Sequence, residues 1–312
     1  MPKEQIIAEI KKLKKEKNVL ILAHYYQDKD IQDLADFVGD SYNLSVKAAE
    51  TSQDIILFCG VHFMAETAKI LNPNKKVILP DTNAGCSLAS SCTYEEFNAF
   101  KALHPNAVVV TYINCTADIK TLSDYICTSS NAVKIVNSIP LDKDIIFAPD
   151  KNLGAYVQKE CNRPLILWNG TCIVHEAFSF QKVLNLYLEN PNSKIIAHPE
   201  SEAHILEMAH FIGSTSAMIQ FMKTDNTKTY IIATEAGILH QLEKEIPHKK
   251  LIPAPIHEEN TCACSECAFM KVNTLEKVLN CLKNEVPEII LDKETMDKAR
   301  LPLQRMIELC KS

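Results

Sequence analysis

The sequence predicts an α/β fold of three similar three-layer αβα units, each with a short parallel sheet, set around a pseudo-threefold axis with a site at the centre. Three observations carry that expectation. A triplet of short apolar runs recurs three times, a helical stripe separates the first two runs of each triplet, and one cysteine follows each third run.

The chain opens with Ile6, Ile7, Ile10 and Leu13 at helical spacing, flanked by Lys11, Lys12, Lys14, Lys15 and Lys17. That pattern predicts a docked amphipathic helix with a solvated basic face. Val19-Leu20-Ile21-Leu22-Ala23, Ala107-Val108-Val109-Val110-Thr111 and Lys194-Ile195-Ile196-Ala197 then read as buried strands, too short for helices and followed at once by polar residues. Stripes follow in each unit: Ile31, Leu34, Ala35, Val38; Ile119, Leu122, Ile126; and Ile205, Met208, Ala209, Ile212. They predict one helix apiece. The second runs are Ile55-Ile56-Leu57-Phe58, Ile145-Ile146-Phe147-Ala148 and Ile231-Ile232-Ala233. The third are Val77-Ile78-Leu79-Pro80, Leu165-Ile166-Leu167-Trp168 and Leu251-Ile252-Pro253-Ala254. Strand, helix, strand, helix, strand is the order of parallel strands joined by crossovers.

No Gly/Ser linker marks the unit edges, so boundaries are set just past Cys86 and Cys172, giving units 1–87, 88–173 and 174–274. The segment 275–312 has no strand triplet. Leu275 to Leu282 and the final helix, with Pro302, Met306 and Leu309, are expected to pack back on the first unit.

Composition narrows the function classes. At 46% hydrophobic and 23% charged, the chain is of ordinary globular type with ample core. A net charge of −6 gives no electrostatic footprint for nucleic acid. The polar N-terminus is unlike a signal peptide and no apolar run can span a membrane, so a cytoplasmic protein is expected. In a reducing compartment 12 cysteines do not form a disulfide framework, which leaves metal binding or catalysis for some. Cys59, Cys115, Cys127, Cys161, Cys281 and Cys310 lie in apolar or helix-like stretches, where cysteine behaves as a small hydrophobe.

Superposing the units places chemistry at the carboxyl ends of the strands, where open α/β sheets bind ligands. After the first strand, His24, Tyr112 and His198 share one column, and Tyr26, Asn114 and Glu200 share another two residues on. Ser41, Ser129 and Thr215 form a third column, each before a helix-like stretch, where hydroxyls and free N–H groups suit carboxylate or phosphate. Plain N-capping accounts for each hydroxyl singly. Three around one centre imply a small, multiply anionic substrate.

Cys86, Cys172 and Cys267 make the fourth column. Structural zinc takes four protein ligands, often as two Cys-x-x-Cys pairs, and only Cys264 and Cys267 form such a pair. Three thiolates from three loops suit a [4Fe–4S] cluster with one iron open to substrate as a Lewis acid. A catalytic zinc with three thiolates and a water stays open as the alternative.

The residues resemble the quinolinate synthase family, the iron–sulfur enzymes of de novo NAD biosynthesis. The likeness runs through Ala23-His24-Tyr25-Tyr26-Gln27, Ala35-Asp36-Phe37-Val38-Gly39-Asp40-Ser41, Gly60-Val61-His62-Phe63-Met64-Ala65-Glu66 and Tyr112-Ile113-Asn114-Cys115-Thr116. It continues through Cys127-Thr128-Ser129-Ser130-Asn131, Pro149-Asp150-Lys151-Asn152-Leu153-Gly154, His198-Pro199-Glu200, Gly213-Ser214-Thr215, Thr234-Glu235-Ala236-Gly237 and Met270-Lys271-Val272-Asn273. Ordered matches over almost the whole chain are far more specific than a single motif.

The resemblance implies a transferase-class dehydrating condensation of iminoaspartate with dihydroxyacetone phosphate to quinolinate, phosphate and two waters. It implies a [4Fe–4S] cluster on Cys86, Cys172 and Cys267, and a site lined by His24, Tyr26, Ser41, Tyr112, Asn114, Ser129, His198, Glu200 and Thr215. Glu200 is the expected acid or base, with Tyr26 as relay partner and His175 as a second proton carrier. The expected functional partner is an aspartate-oxidising enzyme that supplies iminoaspartate. One departure bears on the third ligand: this chain reads Cys262-Ala263-Cys264-Ser265-Glu266-Cys267 where some members carry Cys-x-x-Cys-x-x-Cys. Cys264 is therefore open as a disulfide partner or substitute ligand. A non-catalytic iron or redox sensor explains the cysteines without the other columns, and a zinc-stabilised sugar-phosphate binder explains the anion sites without the three thiolates.

Overall fold

The computed structural model describes residues 1–257 and 265–311. After an opening helix, Lys3–Glu16, the first sheet is built from β1 (Val19–His24), β2 (Phe37–Gly39), β3 (Ile55–Cys59) and β4 (Lys76–Ile78), ordered β2-β1-β3-β4. The second comprises β5 (Val108–Tyr112), β6 (Tyr125–Cys127), β7 (Ile145–Ala148) and β8 (Ile166–Leu167), ordered β6-β5-β7-β8. The third comprises β9 (Ser193–Ala197), β10 (Phe211–Ile212), β11 (Thr229–Ala233) and β12 (Lys250–Pro253), ordered β10-β9-β11-β12. All pairings between these strands are parallel, as helical crossovers require.

Each sheet is buried on both faces, which is why its strands read as continuous apolar runs. In the first, Leu20, Leu22, Ile56 and Phe58 join one apolar cluster while Val19, Ile21, Leu57 and Cys59 join another. In the third, Ile195, Ala197 and Ile231 separate in the same way from Ile196, Tyr230 and Ile232. The first and second sheets share a core, to which Leu22, Phe58, Val110 and Phe147 all belong.

The helices after the first strands are shorter than the stripes predict. They end at Leu34, Thr121 and Met208, so that Val38, Ile126 and Ile212 lie in the edge strands β2, β6 and β10. Each sheet therefore has four strands where the sequence predicts three. The cause is a two-way bond repeated in all units. Asp36, Asp124 and His210 donate their N–H groups to the carbonyls of Ile21, Val109 and Ile195 at 2.8, 2.9 and 2.8 Å. Their side chains accept the N–H of the same three residues at 2.8, 2.8 and 3.1 Å. Satisfying two backbone groups at once draws the chain out of the helix and onto the sheet edge.

The C-terminal segment closes the first sheet. Helix Leu275–Asn284 packs on the opening helix, whose Ile6 and Ile10 are buried as its stripe predicts. Residues 287–289 pair with the open edge of β4 through Leu79 N–H to Pro287 O at 3.1 Å and Ile289 N–H to Val77 O at 2.8 Å. The last helix, Lys293–Lys311, packs across helices His62–Leu71 and Ala117–Thr121 and strand β6. Cys59, Cys115, Cys127 and Cys281 are buried, and Cys161 and Cys310 are half-buried. Among the described residues no helix is long and apolar enough to cross a membrane.

Glu285 ties this segment down. Its carboxylate bridges Lys17 at 2.9 Å and Lys76 at 2.7 Å. Hydrogen bonds from Lys76, then Lys17, lower its pKa from 4.5 to about 2. A carboxyl group whose pKa falls on folding stabilises above its unfolded pKa and loses that effect as pH drops through its folded value. Glu285→Gln is expected to cost about 1 kcal/mol or less at neutral pH, since the pair is partly solvated. Urea melts should show its difference from the parent shrinking between pH 4.5 and about pH 2.

Candidate active site

His24, Tyr112 and His198, which end or follow β1, β5 and β9, line one central cavity of about 730 Å³ of atom-free space, part of it open to solvent. Tyr26, Asn114 and Glu200 line it as well, as do Ser41, Ser129, Thr215, His175, Cys86, Cys172 and Cys267. The structure thus brings every sequence-predicted site residue to one place.

The hydroxyl column is free of capping duty. Ser41 and Thr215 are the first residues of helices Ser41–Glu50 and Thr215–Thr224, but the caps are the residues before them. Asp40 accepts the N–H of Asn43 at 3.0 Å, and Ser214 accepts that of Ala217 at 3.3 Å. In the second unit Ser129 precedes the helix Ala132–Asn137, and its Oγ lies 3.1 Å from His198 Nε2.

Glu200 is the hub of the site. Its Oε2 lies 3.1 Å from His175 Nδ1 and 3.2 Å from His198 Nδ1, and the two rings stack at 4.7 Å between centroids. Burial disfavours its charge, but the imidazoles, His175 foremost, outweigh burial and hold its pKa below the ordinary carboxylate range. An ionised carboxylate only accepts hydrogen bonds, so His175 Nδ1 meets Glu200 Oε2 as a donor, while His198 Nδ1 faces both that oxygen and the backbone N–H of Glu200, at 3.2 and 3.4 Å. His175 Nε2 lies 2.9 Å from Thr234 Oγ1, which in turn lies 2.8 Å from the Tyr26 hydroxyl. The path from Tyr26 to Glu200 therefore runs through Thr234 and His175. His198 Nε2 lies 3.1 Å from Ser129 Oγ, so serine, imidazole and carboxylate form a second chain on the other side of Glu200.

The surroundings polarise these groups. Burial raises the Tyr26 and Tyr112 phenols well above their ordinary range. Burial, then the neighbouring His198, lowers His24 to about 3, so it is a neutral ring. Asp150, fully buried beyond β7, is pushed well up by burial and then by the charge of Glu200. Two buried carboxyls are thereby shifted in opposite directions, Asp150 up and Glu200 down.

The three cysteines are placed by one repeated contact. The residue three beyond the third strand of each unit, β3, β7 or β11, donates its N–H to the carbonyl two residues before the cysteine: His62 to Ala84 at 2.6 Å, Lys151 to Gly170 at 2.9 Å and Ala236 to Ser265 at 3.0 Å. This makes Cys86, Cys172 and Cys267 equivalent in register. Cys262 and Cys264 lie outside the described residues. Burial pushes the Cys86 thiol up to about 12 and raises Cys172 and Cys267 as well. Such thiols are poor nucleophiles on their own but become thiolates when a metal binds. A second donor set overlaps the first: Cys172 Sγ, a His175 ring nitrogen and a Glu200 oxygen lie within 4.8 Å of one another.

Three groups escape the sequence reading. Thr234 lies behind Tyr26 and His175, Asp150 lies beside Glu200, and Glu235 lies in the cavity wall, where burial raises its pKa to about 7 against the pull of Lys271. The stretches Pro149-Asp150-Lys151 and Thr234-Glu235-Ala236-Gly237 were the available signal. The first unit has Val61 at the position of Asp150 and Glu235, so the column is not chemically uniform.

Parallel αβα units that converge on acid–base residues and three thiols define an α/β protein with one buried, metal-competent reaction centre. Residues 8–308 match the family described as Quinolinate synthetase A protein. The chain is 58% identical over 306 residues to the quinolinate synthase of Trichodesmium erythraeum, covering 98% of this chain and 94% of that one. It is 57% identical over 302 residues to that of Gloeothece citriformis, covering 97% and 93%. Against that of Microcystis aeruginosa it is 56% identical over 306 residues, covering 98% and 95%. The chain belongs to the quinolinate synthetase A family.

Thr234→Val keeps the shape of the side chain but leaves the Tyr26 hydroxyl and His175 Nε2 without this shared partner. It is expected to destabilise by about 1–3 kcal/mol, the cost of an unpaired buried polar group. Thr234→Ser restores the hydroxyl and should recover most of that loss in urea denaturation.

Proposed function

We propose that this chain condenses iminoaspartate with dihydroxyacetone phosphate to quinolinate, releasing phosphate and two waters. Two buried atoms in the cavity wall support the reading most directly: Glu200 Oε1 and Asn114 Oδ1 have no hydrogen-bond partner among the described residues. Buried polar atoms are almost always paired, so both are placed to meet a polar substrate.

Cys86, Cys172 and Cys267 fit a [4Fe–4S] cluster, because three thiols from three loops line one cavity and leave a fourth corner to substrate. When bound, the cluster supplies Lewis acidity toward a substrate oxygen or nitrogen. The remaining work falls to side chains. Carbon–carbon bond formation, the ketose-to-aldose shift, imine closure and the two dehydrations are dominated by proton transfer. Glu200 Oε1 takes a proton from substrate carbon, and the ionised state of Glu200 leaves it ready to do so. Tyr26 gives or takes a proton at its hydroxyl, exchanged with Glu200 through Thr234 and His175. His24 and His198, as neutral rings, orient substrate carboxylates. Ser129 and Thr215 donate to those carboxylates, Ser41 holds the phosphate or carbonyl end, and Tyr112 with Asn114 positions the carbon skeleton. The supplier of iminoaspartate is an aspartate-oxidising enzyme.

After anaerobic reconstitution with iron and sulfide, the protein is expected to hold about four irons per chain and to form quinolinate from the two substrates. Glu200→Gln should keep its iron and lose about 10²-fold or more in turnover. Parent turnover in that variant would remove Glu200 from the mechanism. About four irons with no product would favour a cluster-binding sensor.

A further inference from the structure

Glu235 is fully buried, and both its oxygens are committed to backbone. Oε1 accepts the N–H of Cys267 at 3.0 Å and Oε2 accepts the N–H of Gly237 at 2.6 Å. Lys271 Nζ stands 3.5 Å from Oε1 and also donates to the carbonyl of Tyr26 at 3.1 Å. Around this carboxylate, Ala236 N–H donates to Ser265 O at 3.0 Å and Ser265 Oγ donates to Thr234 O at 2.9 Å. Gly237 is required by space here: a Cβ would stand 2.7 Å from Glu235 Oε2 and 2.8 Å from Tyr26 Cα.

The loops of Cys86 and Cys172 are fastened by backbone bonds that lie before the cysteine. His62 N–H to Ala84 O secures the first, while Lys151 N–H to Gly170 O and Gly170 N–H to Pro149 O secure the second. In the second and third units a fully buried carboxylate at equivalent positions also meets the backbone N–H of the cysteine itself, Asp150 for Cys172 and Glu235 for Cys267, the latter at 3.0 Å.

We propose that Glu235 is a positioning residue that fixes Cys267 as the third thiolate ligand and, through Lys271, sets that thiolate against Tyr26. The inference rests on the three-cysteine reading of the site. Neither oxygen of Glu235 can be replaced by an amide nitrogen without setting a donor against a backbone N–H, so glutamine is not a conservative exchange here. Groups that orient a metal ligand from behind are typically worth about 10–100-fold in metal affinity.

The test compares the parent chain with Glu235→Gln and Glu235→Asp, each reconstituted anaerobically with iron and sulfide. The readouts are iron and sulfide per chain, the electron paramagnetic resonance spectrum of the reduced cluster, and the rate of iron loss to a chelator. Glu235→Gln is expected to lose iron about 10-fold faster, and both variants to give an altered spectrum. Glu235→Asp, which keeps the charge one methylene short, should fall between parent and glutamine. If Glu235→Gln does not fold, Glu235→Asp alone decides: iron content, spectrum and loss rate equal to the parent's overturn the proposal. A parent that loads while both variants match it overturns the inference alone. A parent that takes up no iron overturns the three-cysteine reading and the inference with it.

Discussion

The site depends on one backbone hydrogen bond made three times, from the residue three past the third strand of each sheet to the carbonyl two before each cysteine. A parallel sheet ends all its strands on the same side, so the chain beyond the third strand and the chain beyond the neighbouring fourth must run next to each other there. The bond satisfies two groups that would otherwise be buried unpaired, and it delivers each cysteine to the cavity in the same register. Repeated in three sheets, it turns three loops distant in sequence into one set of thiols. The acid–base residues follow from the same geometry, because they too leave the carboxyl ends of strands.

Burial is the common cause of the chemistry. Within the cavity wall it raises thiols and phenols and keeps His24 neutral, so few groups there bear charge unaided. Glu200 is the exception because two imidazoles face a single oxygen. Burial, then the charge of Glu200, pushes Asp150 the other way. The arrangement separates tasks: one carboxylate able to accept a proton, one, Asp150, shifted upward beyond β7, and a third, Glu235, tied to the loop of the third cysteine. Thr234 and His175 together connect Tyr26 to Glu200.

Much of this was legible in the sequence because the repeat aligns residue types as well as hydrophobicity. His24, Tyr112 and His198 share a column, as do Ser41, Ser129 and Thr215, and bulky hydrogen-bonding types in register mark a shared environment. The edge strands β2, β6 and β10 were hidden for a physical reason. Two or three residues long, they place Val38, Ile126 and Ile212 where a helical stripe would also put them, and only the side chains of Asp36, Asp124 and His210 reveal the switch. Thr234 and Glu235 were hidden differently, since their partners are a tyrosine, an imidazole and a backbone N–H far off in sequence. Cys267 could not be separated from Cys264 by spacing alone; the bond from Ala236 to Ser265 puts Cys267 in register with Cys86 and Cys172, while Cys264 lies outside the described residues.

The central claim is that three loops meet to hold one metal centre. Anomalous diffraction at the iron edge from anaerobically prepared crystals tests it most directly. The account predicts a single iron peak bounded by the sulfurs of Cys86, Cys172 and Cys267, with Glu200 and Tyr26 facing its open side. Iron located elsewhere, or held on the Cys172, His175 and Glu200 set without Cys86 and Cys267, would contradict it.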